Sequence, residues 1–98
     1  MSDLARTYTV AADHPMLAGH FPGHPIVPGA WLLAWVVAAA AERRTVSGVK
    51  RVKFLRPLAP EQMFECALRE SDDTMRFTLT SGGEVIAAGS LQLQARSD

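Results

Sequence analysis

From Ala30 to Ala41 the chain holds twelve consecutive apolar residues, Ala-Trp-Leu-Leu-Ala-Trp-Val-Val and then four alanines. Length and alanine content favour a helix, and Arg43 and Arg44 suit the negative end of its dipole. A helix that is apolar on every side cannot lie on a surface with one face in water, so the rest of the chain has to wrap it. The run is also too short to cross a bilayer, which takes roughly 20 residues.

The wrapping is read from alternation. Arg6 to Ala11 is rich in β-formers and reads as a first strand, and Val49 to Leu55 as a second, imperfectly alternating one. Phe64, Cys66 and Leu68 face one way, as do Met75, Phe77 and Leu79. Val85, Ala87, Gly89, Leu91 and Leu93 alternate with Ile86, Ala88, Ser90, Gln92 and Gln94. Asp72-Asp73 and Ser81-Gly82-Gly83 have the composition of hairpin turns. With 98 residues the chain makes one domain, residues 1–98. One helix after a first strand, then four antiparallel strands, predicts an α+β domain whose sheet curls round the helix.

Composition narrows the function classes. At 48% apolar and 20% charged residues with zero formal net charge, the sequence is that of a globular protein and argues against general nucleic-acid binding. The bases are unevenly placed: Arg43, Arg44, Lys50, Arg51, Lys53 and Arg56 fall together with no acid among them. Such a patch suits an acidic partner or a phosphate, or is a solvated strand face. Cys66 is alone and reads as core filling, so no disulfide is expected. The first residues lack a signal-peptide pattern, which predicts a cytoplasmic protein.

The segment before the helix carries the most information. Asp13 to Gly29 is punctuated by Pro15, Gly19, Pro22, Gly23, Pro25, Pro28 and Gly29, which forbids a regular helix and stiffens the path. Within it, Gly19-His20-Phe21-Pro22-Gly23-His24-Pro25-Ile26-Val27-Pro28-Gly29 resembles the signature of the FabA/FabZ-type 3-hydroxyacyl-acyl-carrier-protein dehydratases of the hotdog superfamily. Val52-Lys53-Phe54-Leu55-Arg56-Pro57-Leu58-Ala59-Pro60-Glu61-Gln62 is similar to that family's strand and following turn. Leu33-Ala34-Trp35-Val36 is similar to the ApeI-like branch of aryl polyene pathways.

The resemblance implies a hotdog fold, a curled antiparallel sheet round one long helix, and reversible loss of water from a 3-hydroxyacyl thioester. It makes His20 the base, a role imidazole suits because its pKa, about 6.5, lies near the operating pH. It gives the thioester oxygen to the backbone N–H of Gly29 at the helix start, where free amides and the dipole favour negative charge. A side chain at 29 would crowd the substrate there. Phe21, Pro22, Gly23, Ile26, Pro28 and Trp31 fall to the substrate-binding walls, with the Ile26 carbonyl orienting the histidine. Trp31, Leu32 and Trp35 fit an acyl tunnel, and equally plain core. His14 and His24 read as ordinary loop residues.

One position departs from the family. The carboxylate that the family carries fourteen residues after its base, reaching into the partner's site, is Ala34 here. Residues 30–41 offer no ionisable replacement. An inefficient homodimer is one reading; a heterodimer in which another hotdog chain supplies the carboxylate is a second. A hotdog thioesterase and a non-catalytic subunit that binds acyl carrier protein stay as alternatives. The expected partners are an acyl carrier protein or CoA thioester and a second hotdog chain, with no nucleic acid, membrane, metal or cofactor.

Overall fold

The apolar run forms α1 (Gly29–Ala41), packed across a single antiparallel sheet in a computed structural model that describes residues 3–17 and 26–96. The strands are β1 (Asp3–Thr9), β2 (Val46–Phe54), β3 (Met63–Ser71), β4 (Thr74–Ser81) and β5 (Glu84–Leu93), with a short 3-10 turn at Pro15–Leu17. They lie in the order β1-β3-β4-β5-β2, so β1 and β2 are the edges. The α+β arrangement expected from the sequence is the observed one, with several shifts of detail. The first strand starts and ends earlier than Arg6 to Ala11, and the second covers Val46–Phe54 rather than Val49 to Leu55.

Alternation sets the core. Phe64, Cys66 and Leu68 of β3 and Met75, Phe77 and Leu79 of β4 are all buried beneath the helix, as their period of two predicts. In β5 the simple alternation fails. A register shift between Leu79 and Thr80 leaves Ile86 without a partner in β4, so Ile86 and Ala87 are both buried while Val85 turns outward and is exposed. A bulge of this kind reverses the facing of every residue on one side of it. The β4–β5 turn holds Gly82 and Gly83 at φ 59° and 80°, a left-handed pair that glycine adopts without strain.

The helix is not wrapped on all sides by its own chain. Leu32, Val36, Ala39 and Ala40 are buried against the sheet, whereas Ala30, Ala34, Ala38 and Ala41 are exposed. A single sheet can cover only one side of a cylinder, and small residues occupy the side left open. The helix also ends before the two arginines, whose backbone N–H groups close it on the Ala40 carbonyl at 2.9 and 3.1 Å while Glu42 N–H donates to the Ala39 carbonyl.

Arg44 leaves the helix direction because it has partners elsewhere. Its buried guanidinium donates to Glu70 Oε2 at 2.7 Å, Asp73 Oδ1 at 2.8 Å and the carbonyls of Asp72 at 2.9 Å and Gln94 at 2.8 Å. One side chain thus ties the helix exit to the β3–β4 turn and the end of β5. Arg96 adds a second cation to Glu70 at 3.0 Å. Arg6 and Glu42 form an exposed ion pair joining β1 to the helix end, with Nη1 to Oε2 at 2.9 Å.

Candidate functional site

The chain enters α1 through Pro28, extended at φ −61° and ψ 137°, and no side chain caps the helix. Proline fits this junction because its φ is already fixed and it needs no donor. Trp31 N–H and Leu32 N–H both donate to the Pro28 carbonyl, at 3.0 and 3.2 Å. Gly29 and Ala30, one step earlier, have N–H groups that no helical carbonyl can reach. Val27 N–H, donating to the Leu58 carbonyl at 2.8 Å, pins the incoming strand of the loop against the segment after β2.

Beside this helix start lies a partly open cavity of about 340 Å³, walled by Ile26, Gly29, Leu32, Phe54, Arg56 and Leu58 among others. Most of the wall is apolar; Arg56 supplies charge at the rim, where it pairs with Glu84 at 3.0 Å. Phe54 is about half exposed, and its ring leans onto Gly29. A Cβ at position 29 would meet Phe54 Cζ at 3.0 Å, so in this chain the ring is what a side chain there would strike first. The arrangement offers an apolar recess, backbone donors at the positive end of a helix dipole, and room for an elongated acyl group.

Of the residues expected at the site, Gly29 and Ile26 line the cavity and Pro28 caps the helix beside it. Trp31 points elsewhere. It stacks on Tyr8 with centroids 5.9 Å apart and receives the edge of His14 at 5.8 Å, in a half-buried cluster that includes Trp35 and Phe64. Leu32, read as tunnel wall or core, is both buried and a cavity wall. His20, Phe21, Pro22, Gly23 and His24 lie outside the described residues. Ala34 is exposed on the far side of α1 and takes no part in the cavity wall, so a carboxylate at that position would face away from this chain's own recess.

The segment Phe54 to Leu58 supplies half of the cavity without having been singled out for it. Its signal in the sequence is slight: two consecutive large apolar residues, Phe54 and Leu55, ending a basic strand, both about half exposed. The basic run itself divides. Arg44 is buried in its carboxylate cage and Arg56 pairs with Glu84, while Lys50, Arg51 and Lys53 stay exposed on β2. Cys66 is buried, and its burial pushes the thiol up to about 12, which removes it from any nucleophilic role. Among the described residues no group of three or more His, Cys, Asp or Glu is placed to hold a metal ion. None of their helices is long and apolar enough to cross a membrane.

A single helix lying in a curled five-stranded antiparallel sheet, with an apolar recess at the helix start, is the hotdog fold. Residues 2–90 match the ApeI-like family, described as ApeI dehydratase, and the chain belongs to that family. Its structure is similar to that of a chain of the dehydratase heterocomplex ApeI:P from Xenorhabdus doucetiae. They share 22% identity, with 96% of this chain and 88% of that one covered and a TM-score of 0.83. It is also similar to the R-hydratase PhaJ1 from Pseudomonas aeruginosa, at 15% identity over 99% of this chain and 81% of that one, TM-score 0.73. A third likeness is to an acyl-CoA hydrolase from Staphylococcus aureus, at 16% identity over 98% and 65%, TM-score 0.67. These structural likenesses are of fold. No curated protein matches the sequence.

Proposed function

We propose that this chain dehydrates 3-hydroxyacyl thioesters, the acyl group being carried on an acyl carrier protein or CoA. The observation that carries the reading is the apolar cavity opening on Gly29 at a helix start without a side-chain cap. A thioester carbonyl seated there accepts the Gly29 N–H, and the helix dipole favours the charge that builds on its oxygen as the neighbouring C–H is broken. His20, nine residues upstream in the Gly-His-Phe-Pro-Gly run, takes that proton. The C–O bond to the 3-hydroxyl then breaks, a carbon–carbon double bond forms, and the hydroxyl leaves as water once it receives a proton. The reaction balances without a redox cofactor.

The proton for the leaving hydroxyl is where this chain falls short. Position 34 is an exposed alanine on the open side of α1, and loss of an acid/base group costs on the order of 100- to 10,000-fold. We therefore infer that the working unit is a heterodimer in which a second hotdog chain lends its carboxylate to this cavity. The heterocomplex formed by the Xenorhabdus relative supports that reading. A cytoplasmic location fits a chain whose one cysteine is free and buried.

The test is turnover of a 3-hydroxyacyl thioester by the chain, alone and with a neighbouring hotdog protein, following the conjugated enoyl product. Appearance of that product, abolished by His20→Ala, is the expected result. Release of free thiol with no enoyl product identifies a thioesterase. Full activity in His20→Ala removes the assigned base.

A further inference from the structure

The face of the sheet turned away from α1 carries a row of cations that no reading of the linear sequence brings together. Cross-strand partners point to the same face of a sheet. The pairings Arg69↔Arg76, Arg76↔Ser90 and Ser90↔Arg51 therefore run straight across β3, β4, β5 and β2 on the outer side. Lys53, opposite Ala88, stands on the same face. Lys50, at a register shift, reaches over β5 to Thr74 Oγ1 at 3.2 Å. Between the cations lie Thr74, Thr78, Thr80, Ser90 and Gln92, with Ala67 and Ala88 among them and Val85 at the turn end. Glu65, opposite Thr80, is an acid on the same face.

Arg51, Lys53, Arg69 and Arg76 are exposed, and none forms an ion pair with a described residue. Arg69 and Arg76 sit directly opposite each other in the ladder, a like-charge pairing that weakens a sheet. Nothing in the packing of the chain benefits from that opposition. From β3 to β2 the row spans about 14 Å, three strand spacings. It ends at Arg51 and Lys53, immediately before Phe54, Leu55 and Arg56, which wall the cavity.

We propose that this outer sheet face is the docking surface for the acidic protein that carries the acyl thioester. The inference rests on the dehydratase reading for its partner but on the sheet register for its place. Fixed cations spaced across an open sheet face match carboxylates on a protein surface and speed and orient the encounter. The zero net charge of the whole chain disfavours a general polyanion such as nucleic acid. The row is continuous in sequence with the cavity rim, since Lys53 is followed directly by Phe54.

The experiment uses a fluorescently labelled apo form of a small acidic acyl carrier protein, which has no thioester and so reads docking apart from turnover. It is titrated with the chain in its native assembly. Binding should weaken steeply with salt. Arg76→Glu should weaken it about tenfold or more, as reversal of a charge in a complementary interface does. The same substitution puts Glu opposite Arg69, so the thermal midpoint should rise while affinity falls, an outcome a merely structural arginine would not give. Thr78→Lys, in the middle of the face, should tighten binding.

Unchanged affinity in Arg76→Glu overturns the proposal, and so does equally strong binding of a single-stranded oligonucleotide or of anionic lipid vesicles. Carrier binding without dehydration would defeat the dehydratase reading and leave this surface standing. Dehydration of a CoA thioester without carrier binding would do the reverse.

Discussion

The ring of Phe54 rests on Gly29, so that the first residue of the helix and the last residue of β2 together form one lip of the cavity. An alanine at 29 would bring its methyl group to 3.0 Å from Phe54 Cζ. Phe54 is half exposed and has solvent to swing into, and alanine is the better helix former by about 1 kcal/mol. Gly29→Ala should therefore shift stability by no more than about 1 kcal/mol in denaturant unfolding. Turnover should fall much further, on the order of 100-fold, because the methyl and the displaced ring take the space in front of the amide. Phe54→Ala added to Gly29→Ala should recover part of that loss.

Arg44 and Glu70 predict a pH dependence. The guanidiniums of Arg44 and Arg96 hold the Glu70 carboxyl below its ordinary value. A carboxyl lowered in the folded state binds fewer protons there than in the unfolded chain, so its contribution is complete at neutral pH. It is lost as pH falls below the unfolded value of about 4.3 and through the folded one. Thermal midpoints measured from pH 7 down to 3 should drop across that range. In Arg44→Met the midpoint at pH 7 should already be much lower, because a largely buried carboxylate loses its main partner, and the acid-dependent drop should be shallower.

Legibility in the sequence followed the range of the interaction. β3 and β4 were readable to the residue because alternation is local, and Phe64, Leu68, Met75 and Leu79 needed only a period of two. The helix was readable from composition, but its open side was not: whether Ala34 and Ala38 meet a neighbour depends on how much sheet the chain has. The facing of Ile86 and Val85 escaped because a bulge is fixed by cross-strand pairing. Arg44 escaped for a similar reason: in the sequence it looks like a helix-terminal cation, and its carboxylates come from 26 and 29 residues away. At the site, Gly29 was legible through the motif resemblance, whereas Phe54 came to it only by folding. The motif around His20 carries the catalytic reading from sequence alone.

Cys66 gives a test of core integrity. It is 1% exposed, and burial raises its thiol to about 12. At pH 8 it should resist an alkylating reagent in the native protein and react only on unfolding, at a rate set by the opening equilibrium. Because the folded thiol holds its proton to higher pH than the unfolded one, stability from this group is complete below about pH 8.5 and falls as pH rises toward 12. Cys66→Ala should abolish that alkaline slope. Fast labelling of the native protein at pH 8 would contradict the packing of β3 against α1.

Ala34 stands where the FabA/FabZ-type signature that the chain resembles has a carboxylate, and its exposure makes the consequence testable. Within its own chain a substitution on the open side of α1 touches nothing buried, so Ala34→Glu should change the stability of the single chain's fold by no more than about 0.5 kcal/mol. If copies of the variant pair as hotdog chains do, each new carboxylate faces the other copy's cavity and not its own. Dehydration by the variant in the absence of any partner should then rise by about 100-fold over the parent chain, the return of one acid/base group. Addition of His20→Ala to the same chain should erase the gain. The two half-defective chains mixed together, one carrying Ala34→Glu with His20→Ala and the other unaltered, should restore turnover, since a single composite site then holds both groups. Failure of the mixture to turn over, with mixed dimers verified by native mass spectrometry, would show that the carboxylate is not lent across the interface.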